Sequence, residues 1–225
     1  IKLSAVSYLN TIPFIYGLKQ SNVLNKIDLY LDYPAICAEK FASGDVDVAL
    51  LPIVEIPNLN DYRIISNYCI GAYGAVDTVC IYSDVPINQV DNVTLDYQSK
   101  TSVVLFKILL KEYWNLNPKI YTAEVGFEKN IVGNSAALVI GDRAFDLNKK
   151  HKYIYDLSAI WKDMTGLPFV FAVWVANSKV SKEFEIEFNQ ALENGVSNID
   201  KAIEEGSHIY YNNAEDYLNN KISYI

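Results

Sequence analysis

The chain has 225 residues, of which 51% are hydrophobic and 20% charged, enough to bury the core of one large or two small domains and too apolar for a disordered polymer. Its formal net charge is −8, which argues against nucleic acid and anionic membrane as partners. A small anionic ligand is not excluded, because it feels local dipoles more than net charge.

The first predicted element is a buried strand over 1–6, and it ends in Ser7, Tyr8, Asn10 and Thr11, followed by Pro13. A strand therefore delivers an amide and several hydroxyls to one loop. A short strand follows over 29–32. Pro34 suits the first turn of a helix and Gly44 its end. Strands are predicted over 46–51, 64–69 and 76–82, the last rich in β-branched and aromatic residues.

The second half repeats the rhythm. A strand over 93–95 leads to a helix over 101–114 that is apolar around most of its circumference and is expected to be buried on two sides. Strands follow over 121–124, 136–140 and 170–175. From Ser181, a fair N-cap, the apolar residues Phe184, Phe188, Ala191, Leu192, Val196, Ile199 and Ile203 recur at helical spacing. Alternation of this kind predicts an α/β protein with largely parallel sheets, whose ligands sit beyond the carboxyl ends of strands. The polar motifs fall at those ends.

Three motifs carry chemistry. In DYQSKTS, Ser99, Thr101 and Ser102 crowd the start of a helix, where free N–H groups and the positive dipole end favour an anion. Ser99 or Thr101 equally suits a simple cap. In IGD, Asp142 can meet a ligand or cap the next helix, and Arg143 can pair with an acid. Gly71 and Gly74 permit close backbone approach before Thr78, but no nucleotide fingerprint is present. His151 lies in a lysine-rich run expected at the surface, and His208 in a late loop. Neither stands near a motif, so a histidine dyad, a triad or a His/Cys metal site has no support, and no metal or cofactor is expected. Cys37, Cys69 and Cys80 form no CxxC and read as buried, reduced thiols; no leader is visible ahead of Ile1, no apolar run is long enough to span a bilayer, and a cytoplasmic location is the expectation.

Taken together, SAVSYLNTIPFIYGL, LLPIVEIP, LDYQSKTSVVLFKILLKEYW, LVIGDRAF, YDLSAIW and TGLPFVFAVWVA resemble the chorismate dehydratases of menaquinone biosynthesis by the futalosine route. The resemblance runs from residue 1 to about 176, and members of that family extend past the point where this chain stops. It implies a two-lobed fold like the type II periplasmic binding proteins, with a ligand cleft between lobes. The expected lobes are 1–83 plus 176–225 and 84–175, with crossings near 83 and 170–175. The implied reaction removes water from chorismate and yields 3-[(1-carboxyvinyl)oxy]benzoate. Asn10 matches the family's active-site asparagine; Thr78, Ser99, Thr101, Ser102 and, more loosely, Asp142 match substrate-binding positions. The implied partner is the small anionic substrate, with no nucleic acid and no membrane. The rivals are the 1,4-dihydroxy-6-naphthoate synthase of the same route, which relies on a cleft histidine, and a non-catalytic solute-binding protein, since fold does not fix function.

Overall fold

The computed structural model describes residues 1–147, 150–206 and 211–225. The chain divides into two units, 1–71 with 170–225 and 72–169. The second unit is thus inserted into the first. The sequence ranges put the first crossing near Ser83, but the strand Val79–Ser83 hydrogen-bonds strands of the second unit on both sides, so the division falls at Gly71 and Ala72 instead.

In the first unit, five strands form a sheet: β1 (Lys2–Val6), β2 (Asp28–Asp32), β3 (Val48–Pro52), β4 (Arg63–Ala72) and, late in the chain, the strand Phe169–Ala176, which is β10. Their order is β2-β1-β3-β10-β4. β1 runs parallel to β2 and β3, whereas β10 runs antiparallel to β3, pairing Trp174 with Leu50. The sheet is therefore mixed rather than purely parallel. β3 and most of β1 are buried, as their near-continuous apolar character requires.

Helices α1 (Ile12–Lys19), α2 (Pro34–Ala42), α5 (Lys182–Val196), α6 (Ile199–Glu205) and α7 (Tyr211–Asp216) belong to this unit. Ser181 caps α5 by accepting from the Phe184 N–H. Pro34 opens α2, and Gly44, at φ +79°, ends its run in the left-handed conformation that a side chain disfavours. Trp174 is fully buried between Phe14 of α1 and Phe188 of α5, at ring separations of 5.7 and 5.1 Å. Each such ring contributes about 1.5–3 kcal/mol on burial. α1 and α5 approach so closely that a Cβ on Gly17 would lie 1.9 Å from the Ala191 carbonyl oxygen, and one on Gly195 would lie 1.9 Å from that of Pro13. Only glycine fits at either point, and the contact is backbone against backbone.

The second unit holds β5 (Val79–Ser83), β6 (Asn92–Leu95), β7 (Lys119–Thr122), β8 (Ser135–Ile140) and β9 (Tyr153–Asp156), in the order β7-β6-β8-β5-β9. β6 is parallel to β7 and β8; β5 is antiparallel to β8 and β9. Helix α3 (Lys100–Leu109) widens into a last turn at Leu110–Trp114 and stops at Asn115 in the left-handed conformation. It buries one face, not two. Leu105, Phe106 and Leu109 are inside, while Val104 and Ile108 are more than a third exposed. β9 and α4 (Leu157–Thr165) give no clear sequence signal, because YIYDLSAIW is short and changes period within a few residues. Among the described residues, no helix is long and apolar enough to cross a membrane.

Candidate functional site

Asn10 belongs to the first unit, in the single turn Leu9–Thr11 that joins β1 to α1. Pro13 suits the first turn of α1, where its missing N–H costs nothing. The loop is anchored by its backbone: the Tyr224 hydroxyl donates to the Asn10 carbonyl at 2.9 Å. Tyr224 itself packs edge-on against Phe14 at 5.2 Å, and burial raises its pKa well above the usual tyrosine value. The Asn10 side-chain oxygen accepts from the Thr11 hydroxyl at 3.1 Å. Among the described residues, nothing engages its amide nitrogen, and the residue is half-buried.

The second unit builds its polar cluster where β6 and β8 end. Ser99 is the N-cap of α3: its hydroxyl accepts from the Ser102 N–H at 3.2 Å and donates to the Ser102 hydroxyl at 2.9 Å. The cap expected as the plainer role is therefore present. Thr101 and Ser102 are buried with it. Just before the helix, Asp96 is 2% exposed. One carboxylate oxygen accepts from the Gln98 N–H at 2.9 Å; the other accepts from the Ile140 N–H at 3.0 Å and from the Arg143 guanidinium at 2.6 Å. Burial pushes the Asp96 pKa up, against the opposing pull of Arg143 and the two N–H donors. Arg143 also donates to the Gln98 side-chain oxygen at 3.1 Å and lies over the Tyr97 ring. Arg143 is thus held close to the start of α3 by Asp96 and Gln98, with the Glu128 carboxylate 3.9 Å from its guanidinium.

Thr78 precedes β5 and is 2% exposed. Its carbonyl accepts from the Gly141 N–H at 2.9 Å, and Gly141 takes φ +69°, a conformation that suits the residue joining Ile140 to Asp142. The structure thus brings Thr78, the IGD turn, Asp96 and the start of α3 to neighbouring strand ends of one sheet. Asp142 lies in the first turn of the short helix Gly141–Asp146, without a side-chain cap at its start.

Sequence reasoning missed the partners that hold these loops. Asp96, Asp156 and Tyr224 bind main-chain groups dozens of residues away, and no local pattern announces such contacts. The one signal available was Arg143, whose expected acid is Asp96. His151 is not solvated as expected; its ring nitrogen lies 3.1 Å from Asp84 and its side chain is only 11% exposed. His208 lies outside the described residues. Cys37, Cys69 and Cys80 are free thiols, and burial raises the pKa of each, that of Cys37 to about 11. Among the described residues, no three His, Cys, Asp or Glu side chains converge as metal ligands.

A curated chorismate dehydratase of Thermus thermophilus is 28% identical over 159 residues, which cover 63% of this chain and 58% of that protein. The match thus spans less than two thirds of that relative's length. Protein AF1704 of Archaeoglobus fulgidus superposes with a TM-score of 0.69 at 14% identity, covering 96% of this chain and 81% of the other. A Candida albicans protein described as having the generic periplasmic binding protein fold gives 0.62 at 10% identity, covering 100% and 81%. The periplasmic aliphatic sulphonate binding protein of Escherichia coli gives 0.55 at 13% identity, covering 91% and 76%. These structures show the fold, an α/β two-lobed arrangement like that of the periplasmic binding proteins. The family model described as menaquinone biosynthesis matches residues 1–224, and the chain belongs to that family.

Proposed function

We propose that the chain is a chorismate dehydratase, a carbon–oxygen lyase that converts chorismate into 3-[(1-carboxyvinyl)oxy]benzoate and water. The observation that carries the proposal is the chorismate dehydratase relative, set within a family match that runs from residue 1 to 224. In the reaction, the ring loses its C3 proton and its C4 hydroxyl, and the electron pair of the C–H bond becomes part of the aromatic ring. Aromatisation supplies the drive. The protein has to hold a dianion and stabilise charge as the proton leaves, which preorganised dipoles do without a strong protein base.

The local geometry supports the roles given to each residue. Asn10 offers an amide N–H on a turn anchored through its backbone, suited to an enolate-like oxygen or to the departing hydroxyl. Ser99, Thr101 and Ser102 surround the start of α3, with Thr78 and Asp142 on adjoining strand ends, and would bind the substrate carboxylates. The substrate's own side-chain carboxylate would take the proton. The setting is cytoplasmic, and the partner is the small anionic substrate.

The test is to incubate the purified protein with chorismate and follow the product by mass spectrometry. A product lighter by one water, with the enolpyruvyl group retained, is the expected result. Binding without turnover would overturn the lyase assignment.

A further inference from the structure

We infer that Asp156 is a positioning residue that sets the place of Thr78, by clamping the turn that leads into β5. Asp156 ends β9 opposite Cys80 of β5. Its two carboxylate oxygens collect backbone donors from two segments far apart in the chain. One oxygen accepts from Ser158 N and Ala159 N, both at 3.0 Å, and so caps α4. The other accepts from Val76 N at 2.9 Å and Asp77 N at 2.7 Å.

The second pair of bonds falls on an uncommon backbone conformation. Asp77 has φ +62°, a left-handed conformation that is uncommon away from glycine although aspartate tolerates it better than most residues, and the two bonds to Asp156 favour it here. Asp77 immediately precedes Thr78, so the direction of its peptide sets where the Thr78 hydroxyl starts. The same loop is tied to α4 a second time, by the Lys162 ammonium 4.0 Å from the Tyr73 ring centre. A single carboxylate therefore locks the Thr78 turn to the helix it caps. The group acts through Thr78 and touches no reacting atom.

This inference rests on the dehydratase reading for the role of Thr78, but the clamp can be measured apart from it. Asp156→Asn is the informative variant. An amide has one acceptor oxygen, so it can cap α4 or hold the turn, but its NH2 meets N–H donors on the other side. Amide hydrogen exchange should show Val76 and Asp77 protected in the wild type and fast in Asp156→Asn. Fast exchange at both positions in the wild type would overturn the clamp, and that measurement needs no variant to fold. For function, Asp156→Asn and Thr78→Val should each raise the KM for chorismate about ten-fold, the loss of one hydrogen bond to a charged group. The double variant should be little worse than either single one. Effects that multiply to about a hundred-fold would show two independent roles and sink the proposal. Absence of wild-type turnover would overturn the substrate reading and with it the role of Thr78, while the exchange result would still decide the clamp.

Discussion

The two units hold their polar loops by opposite means. In the first, the turn after β1 is fixed through its main chain, by the Tyr224 hydroxyl on the Asn10 carbonyl, and the Asn10 amide nitrogen is left without a partner among the described residues. In the second, the side chains themselves are engaged: Asp96 gathers three donors and Asp156 five, and Ser99 closes on Ser102. The difference teaches where reactivity and where rigidity are to be sought. A donor left over at a strand end suits charge development in a reaction. A saturated network suits holding a ligand in a set position.

The comparison can be broken most severely at Asp96. Asp96→Ala leaves the buried N–H groups of Gln98 and Ile140 without their acceptor and takes from Arg143 its shortest ion pair, and should destabilise the second unit by about 3–5 kcal/mol, read by urea unfolding. Asn10→Asp should instead leave thermal stability nearly unchanged, because the anchoring bond goes to the backbone. It should lower kcat by about 100- to 1,000-fold, the usual cost of one donor aimed at developing charge. A variant Asn10→Ala that turns chorismate over normally would refute the catalytic role. In the first unit, Gly17→Ala forces a methyl group onto the Ala191 carbonyl and should cost about 3 kcal/mol, with activity falling because α1 carries the Asn10 turn.

A finer contrast lies in acid. Burial raises the pKa of both Asp96 and Asp156 above the ordinary 3.8. A carboxyl raised in the folded state binds its proton more tightly there than in the unfolded chain. Its contribution is full below 3.8 and is lost as pH rises through the raised folded value. Asp47 of the first unit behaves in reverse: burial works against it, but the Lys2 N–H and Asn177 amide outweigh that and hold its pKa low. Its contribution is present above 3.8 and disappears as pH falls through the lowered folded value. Hydrogen exchange between neutral pH and about pH 4 should therefore show amides around Asp96 gaining protection relative to those around Asp47. The smallest expected effect is Ser99→Ala, which removes a helix cap and should cost about 1 kcal/mol.

Local signals were legible in the sequence. Pro34, Gly44 and Ser181 marked helix ends because each acts within a few residues of itself. The buried strand over 1–6 and the hydroxyl-rich start of α3 were readable for the same reason. Two kinds of feature were not. β5 begins at Val79 rather than Val76, because Val76 and Asp77 give their N–H groups to Asp156 instead of to a neighbouring strand. Likewise, Gly17 and Gly195 look like ordinary glycines until the helices that bear them are brought together. The site follows the same division: hydroxyls at strand ends could be picked out, but not the distant carboxylates that fix them.

The order of the strands also bears on synthesis. β10 lies between β3 and β4, yet it leaves the ribosome after every strand of the second unit. The first 71 residues alone thus contain a sheet without the strand that joins its two parts, and an α1 whose glycine contact with α5 does not yet exist. The segment 72–169 is continuous and holds all five of its strands but the first unit's none, apart from the single residues Ala72 and Phe169 at the ends of β4 and β10. During translation the inserted unit can fold first as a complete body. The nascent first segment must wait, with apolar strands uncovered, until residues near Gly195 emerge, which makes it the stretch most in need of a chaperone.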